Sequence, residues 1–128
     1  MRIWLARDPH HPHAVTPERN NKMATTPLQR TIVFSHANSF PAHTYQMLFE
    51  HWQAQGYTVH AIEQYGHDPR YPVTADWPHL VAQLRDFIAR EVGHPVFLVG
   101  HSLGGYLSLM LASQYPQWSQ GVVVLDSP

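Results

Sequence analysis

Pro95-Val96-Phe97-Leu98-Val99-Gly100-His101-Ser102-Leu103-Gly104 sets an unbroken apolar run against a glycine-flanked turn, and Leu103 opens a second apolar stretch that runs to Gln114. A run without polar alternation is the pattern of a parallel strand covered on both faces. The stretch after it puts Leu103, Tyr106, Leu107, Met110 and Leu111 on one helical face, while Gly104, Gly105 and Ser108 are small enough for a close approach to a sheet. Strand, tight turn and helix, with a serine at the corner between two glycines, make the pattern of a nucleophile elbow. Ser102 therefore reads as the nucleophile of a serine hydrolase, with Gly100, His101 and Gly104 supporting the turn.

Outward from that stretch the chain alternates. Thr31-Ile32-Val33-Phe34 reads as a buried strand that ends in a loop of small and polar residues, Ser35 to Ser39. Tyr45, Leu48, Phe49 and Trp52 recur at helical spacing, with Gly56 placed to cap the end. Tyr57 to Ile62 reads as a second strand, less apolar and so nearer an edge. A loop from Gln64 to Thr74 leads to Asp76, the expected N-cap of a helix with Pro78 in its first turn. That helix has the face Leu80, Val81, Leu84, Phe87, Ile88 and Val92, and Gly93 ends it. Val122 to Leu125 is the last strand. The alternation predicts an α/β fold, a parallel open sheet of about four strands with flanking helices and right-handed crossovers.

The 128 residues are the length of one domain, and 44% apolar content supplies its core. A formal net charge of -1 argues against nucleic acid or an anionic membrane surface as partner. Cysteine is absent, which excludes disulfides and thiolate-bound metal and leaves the cytoplasm as the default compartment. No run reaches the roughly 20 apolar residues of a membrane span. Ile3-Trp4-Leu5-Ala6 falls short of the roughly 7–15 apolar residues of a signal peptide. Residues 1–30 hold Pro9, Pro12, Pro17 and Pro27 and most of the positive charge, and are expected to be a disordered N-terminal extension of the domain 31–128. His10, His11 and His13 on such a tail lack the fixed geometry of a zinc site, so no metal is expected. Met23 stands just before the ordered pattern and is an alternative start.

His36-Ala37-Asn38, Gly66-His67-Asp68 and the elbow Gly100 to Gly104, in that order, make Thr31 to Pro128 resemble the N-terminal half of an α/β-hydrolase fold protein of the esterase-like serine hydrolases. Ala37 and Asp68 stand where that family usually has glycine. The resemblance implies that the backbone N–H groups of Leu103 and of Asn38, or less readily Ala37, form the oxyanion hole. It implies that His36 orders its loop by bonding backbone, that the substrate is a small-molecule ester, thioester or related carbonyl, and that no cofactor is needed. It also implies a triad acid and histidine later in the chain. No histidine follows Ser102, and Asp126 is the one candidate acid at a strand end. The expectation is an incomplete α/β-hydrolase fold, truncated before its acid and histidine and inactive alone, with strand 122–125 an exposed edge open to self-association. The alternative reading is a noncatalytic half-fold binding or regulatory module completed by a partner chain, and an acyltransferase with the same elbow would differ only in its acceptor. Phe40, Tyr45, Tyr71 and Trp77 either line an apolar substrate entrance or pack under loops.

Overall fold

In the computed structural model, which describes residues 2–6 and 30–126, strand β2 (Thr31–Ser35) is buried along its whole length between two layers of helix. Strand geometry sends alternate side chains to opposite faces. Val33 joins Leu98 and Val122 on one face, under Leu80, Leu84, Leu107 and Leu111. Ile32 and Phe34 join Val99 on the other, under Phe49. These two apolar faces explain why neither β2 nor the central strand β4 (Val96–His101) shows polar alternation.

The helices follow from the spacing of their apolar residues. A short 3-10 turn (Ala42–Tyr45) leads into α1 (Gln46–Ala54), which covers the Phe34 face. Strand β3 (Thr58–Ala61) pairs with β2 on one side only and is the sheet edge that its mixed composition predicts. Helix α2 (Pro78–Phe87) continues through a π-helical turn (Ile88–Val92) to Gly93, whose φ of 80° is the left-handed conformation that suits a residue without a Cβ. Helix α3 (Leu103–Gln114) packs beside α2 on the Val33 face, and strand β5 (Ser119–Asp126) follows it. β3, β2, β4 and β5 run parallel in one open sheet, with partners Ser35 and Gly100, and His101 and Leu125, in register. The carboxyl ends of β2 and β4 thus lie side by side.

Two expectations need correction. Asp76 does not cap α2: Trp77 takes that position with φ 51°, and its carbonyl accepts the N–H groups of Leu80 and Val81. Asp76 itself holds φ 64°, outside the extended conformation of an N-cap residue, and the Trp77 N–H closes a turn on the Thr74 carbonyl at 3.1 Å. The outer edge of β5 is not exposed either. Arg2–Ala6, within the extension expected to be disordered, forms strand β1 and pairs antiparallel with β5, Arg2 opposite Asp126 and Ala6 opposite Val122. An edge strand offers a row of unpaired backbone groups, and these five residues are long enough to take them up. The His10, His11 and His13 cluster and Met23 lie outside the described residues.

Candidate functional site

The corner between β4 and α3 is a strained point of the backbone at the sheet's carboxyl edge. Ser102 holds φ 55° and ψ -115°, a region that side chains other than glycine seldom occupy. The turn is held on both sides. The Ser102 N–H donates to the Leu125 carbonyl at 3.2 Å, and the Ser102 carbonyl accepts from Gly105 and Tyr106 at 2.9 and 3.1 Å, opening α3. The serine side chain is left exposed, at the N-terminus of that helix.

The two glycines of the motif are required by close approach. A Cβ on Gly100 would overlap the Gly104 carbonyl, and one on Gly104 would overlap the Ser35 carbonyl at the end of β2. The first turn of α3 therefore lies directly on the two strand ends. This contact brings the Ser35 to Ser39 loop beside the elbow, although some 65 residues separate them in the chain.

That loop is organised by a buried histidine and two tyrosines. The Tyr65 N–H donates to His36 Nε2 at 2.8 Å, which leaves the ring proton on Nδ1, where it bonds the Ala37 carbonyl at 2.7 Å. His36 is only 4% exposed, and its ring lone pair is already used, so it supports the loop and is not free to take a proton from Ser102. The Tyr65 hydroxyl bonds Ser35 Oγ at 2.8 Å, and burial raises its pKa well above the ordinary phenol value, so it keeps its proton. The Tyr45 hydroxyl accepts the Ala37 N–H at 3.2 Å and shares a bond of 2.9 Å with His101 Nδ1. His101 thus lies edge-on to Tyr45, which ties the residue before Ser102 to the Ala37 loop. Ala37 has both its N–H and its carbonyl engaged. The N–H groups of Asn38 and of Leu103, the first residue of α3, donate to no other group among the described residues.

Neither Ala37 nor Asp68 has the positive φ that would demand glycine, which accounts for other residues standing there. Asp68 closes its own loop. Hydrogen bonds from the Arg70 side chain, and then from its backbone N–H, push the carboxyl down to about 2, and so Asp68 holds that turn. Of the aromatic candidates, Tyr71 donates to Asp86 at 2.6 Å and so braces α2, and Tyr45 is committed to the loop. Phe40 remains 55% exposed, and Trp77 sits edge-on to Tyr106. Asp126 ends β5 opposite Arg2, with its side chain outside the described residues. Among those residues no cluster of three or more histidine, aspartate or glutamate side chains is placed to hold a metal ion, and no helix is long and apolar enough to cross a membrane.

The sequence reading missed Tyr65 and the bridging role of Tyr45. The one available signal was Ser35, a hydroxyl at the end of an apolar strand that needs a partner when buried.

Comparison with known proteins agrees with this geometry. The profile of the alpha/beta hydrolase family matches residues 32–128. A pyrethroid hydrolase of Sphingobium wenxiniae is 35% identical over 78 residues, 59% of this chain and 28% of that protein. The solved structure of a "predicted CIB-like hydrolase" from Thermoplasma acidophilum superposes with a TM-score of 0.67 at 25% identity, over 77% of this chain and 52% of that one. An extracellular alpha/beta-hydrolase from a Paenibacillus species superposes with a TM-score of 0.58 at 25% identity, over 73% of this chain and 38% of that one. The chain spans between about a quarter and a half of the length of these relatives. With the family profile matched from the first buried strand onward and the serine elbow and its neighbouring loop in place, the chain belongs to the alpha/beta hydrolase family.

Proposed function

We propose that Ser102 is the nucleophile of a hydrolase acting on an ester, thioester or related carbonyl compound. Its Oγ would attack the carbonyl carbon, the leaving alcohol or thiol would depart with a proton, and water would then release the acid from the acyl-serine. Negative charge develops on the carbonyl oxygen during attack, and the N–H groups of Leu103 and Asn38 are the donors proposed to receive it. Loss of one such donor typically costs about 3–4 kcal/mol of barrier lowering. Asn38 is favoured over Ala37 because the Ala37 N–H already bonds Tyr45. The observation that carries the reading is the strained, exposed Ser102 at a helix N-terminus beside a loop with an unengaged N–H.

A serine hydroxyl needs a base. No histidine follows Ser102 in these 128 residues. Removing a triad histidine costs on the order of a millionfold in turnover in enzymes that use one. The polypeptide is therefore proposed to acylate slowly and to turn over hardly at all by itself. Incubation with para-nitrophenyl acetate followed by peptide mapping checks this: the expected result is acetyl on Ser102 and none in Ser102→Ala. Acetylation of Ser102 no faster than that of other surface serines would defeat the nucleophile assignment. Rapid steady turnover by the wild-type chain would defeat the need for an added base.

A further inference from the structure

The loop that enters α2 carries two consecutive residues in the left-handed region, Asp76 with φ 64° and Trp77 with φ 51°. Neither is glycine, and for a bulky side chain such a φ is a true outlier. Pro78 follows directly, and a proline disfavours the right-handed helical conformation in the residue before it. Proline alone would leave Trp77 extended, so the left-handed corner needs a further cause. The corner closes a turn in which the Trp77 N–H donates to the Thr74 carbonyl at 3.1 Å, and it sets the Trp77 ring against α3. Trp77 lies edge-on to Tyr106, with ring centroids 5.6 Å apart and planes at 69°.

Tyr106 stands one helical turn beyond Ser102, whose carbonyl accepts its N–H. Side chains on a helix lean toward the N-terminal turn, so the Tyr106 ring extends over the elbow side of α3. Trp77 is 36% exposed, and Tyr106 is half-buried, which leaves ring surface open to solvent on α3, one helical turn along from Ser102. Aromatic rings bind other rings best in edge-to-face or offset arrangements, and the tilted pair presents both a face and an edge.

We propose that Trp77 is a specificity-determining residue of the Ser102 site, forming with Tyr106 an aromatic wall that accepts a flat aromatic part of the substrate in preference to an alkyl chain. The inference rests on Ser102 being the reacting group, and its test reads the two ideas separately. The first measurement is equilibrium binding of phenylpropanol and of hexanol by calorimetry to the wild-type chain, Trp77→Leu, Trp77→Phe and Tyr106→Leu. The second is the rate at which two fluorophosphonates of matched reactivity, one with a phenylpropyl and one with a hexyl chain, mark Ser102, followed by intact mass. In the marking reaction Oγ forms a bond to phosphorus, fluoride leaves, and the hydroxyl proton goes to solvent.

The wild-type chain is expected to prefer the phenyl compound by about three- to tenfold in both measurements, the size of one aromatic contact. Trp77→Leu is expected to bring both ratios close to one, and Trp77→Phe to keep part of the preference. Equal binding of the two alcohols by the wild-type chain overturns the wall, as does a preference that survives in folded Trp77→Leu and Tyr106→Leu. Phenylpropanol preference that depends on Trp77 in a chain whose Ser102 is never marked keeps the wall and overturns the serine reading.

Discussion

Ser102 holds a conformation that costs a side-chain-bearing residue about 1–3 kcal/mol, and the bonds to Leu125, Gly105 and Tyr106 keep it there. Elsewhere glycine is the less stable choice than alanine by about 0.5–1 kcal/mol because of its backbone freedom. At this corner the order reverses. Ser102→Gly is expected to be more stable than Ser102→Ala by about 1 kcal/mol in urea unfolding, with both variants unable to take an acyl group. An alanine variant as stable as the glycine one would mean that the elbow stores no strain. Ser102 and its two glycines were legible in the sequence because a local turn imposes local spacing. Tyr65 and Tyr45 were not, since the first reaches Ser35 across 30 positions and the second reaches His101 across 56. Nothing in one sequence reports a hydrogen bond of that range.

The elements divide in the same way. Helix α3 and strand β4 were readable to within a residue or two because their apolar patterns are long and bounded by glycine or by a change of period. The entry to α2 was not, because Asp76 and Trp77 both turn left-handed there, a conformation that the spacing of Asp76 and Pro78 does not announce. The join between α3 and β2 gives a sharper test than either boundary. Gly104 faces the Ser35 and His36 carbonyls, and backbone cannot move aside as a side chain can. Gly104→Ala is expected to destabilise the domain by about 3 kcal/mol or more, read as a lowered urea midpoint or loss of soluble protein. A variant that unfolds like the wild type would show that α3 does not lie on the end of β2. Gly93→Ala probes a different effect, because no atom lies near its Cβ position and only the φ of 80° stands against a side chain.

At the scale of the molecule, the sheet is legible from its middle outward. β2 and β4 announce themselves by unbroken apolar runs, whereas β1 carries four apolar residues, too few to read as a strand without a partner. Its partner is β5, whose outer backbone groups lie unpaired unless Arg2–Ala6 takes them up. A flat apolar edge invites pairing with another chain. Removing residues 1–6 is therefore expected to turn the self-association first expected of strand 122–125 into a measurable property. Sedimentation should show the shortened chain associating more strongly as concentration rises, while the full chain at the same concentrations associates less. The same deletion should leave the bond from Ser102 to Leu125 unguarded on its outer side, since β5 carries both that bond and the pairing with β1. Faster hydrogen exchange at the Ser102 amide in the shortened chain would follow, and it separates the two roles of the strand. Association without faster exchange at Ser102 would mean that β1 guards the edge alone, and equal association together with equal exchange would mean that it guards neither.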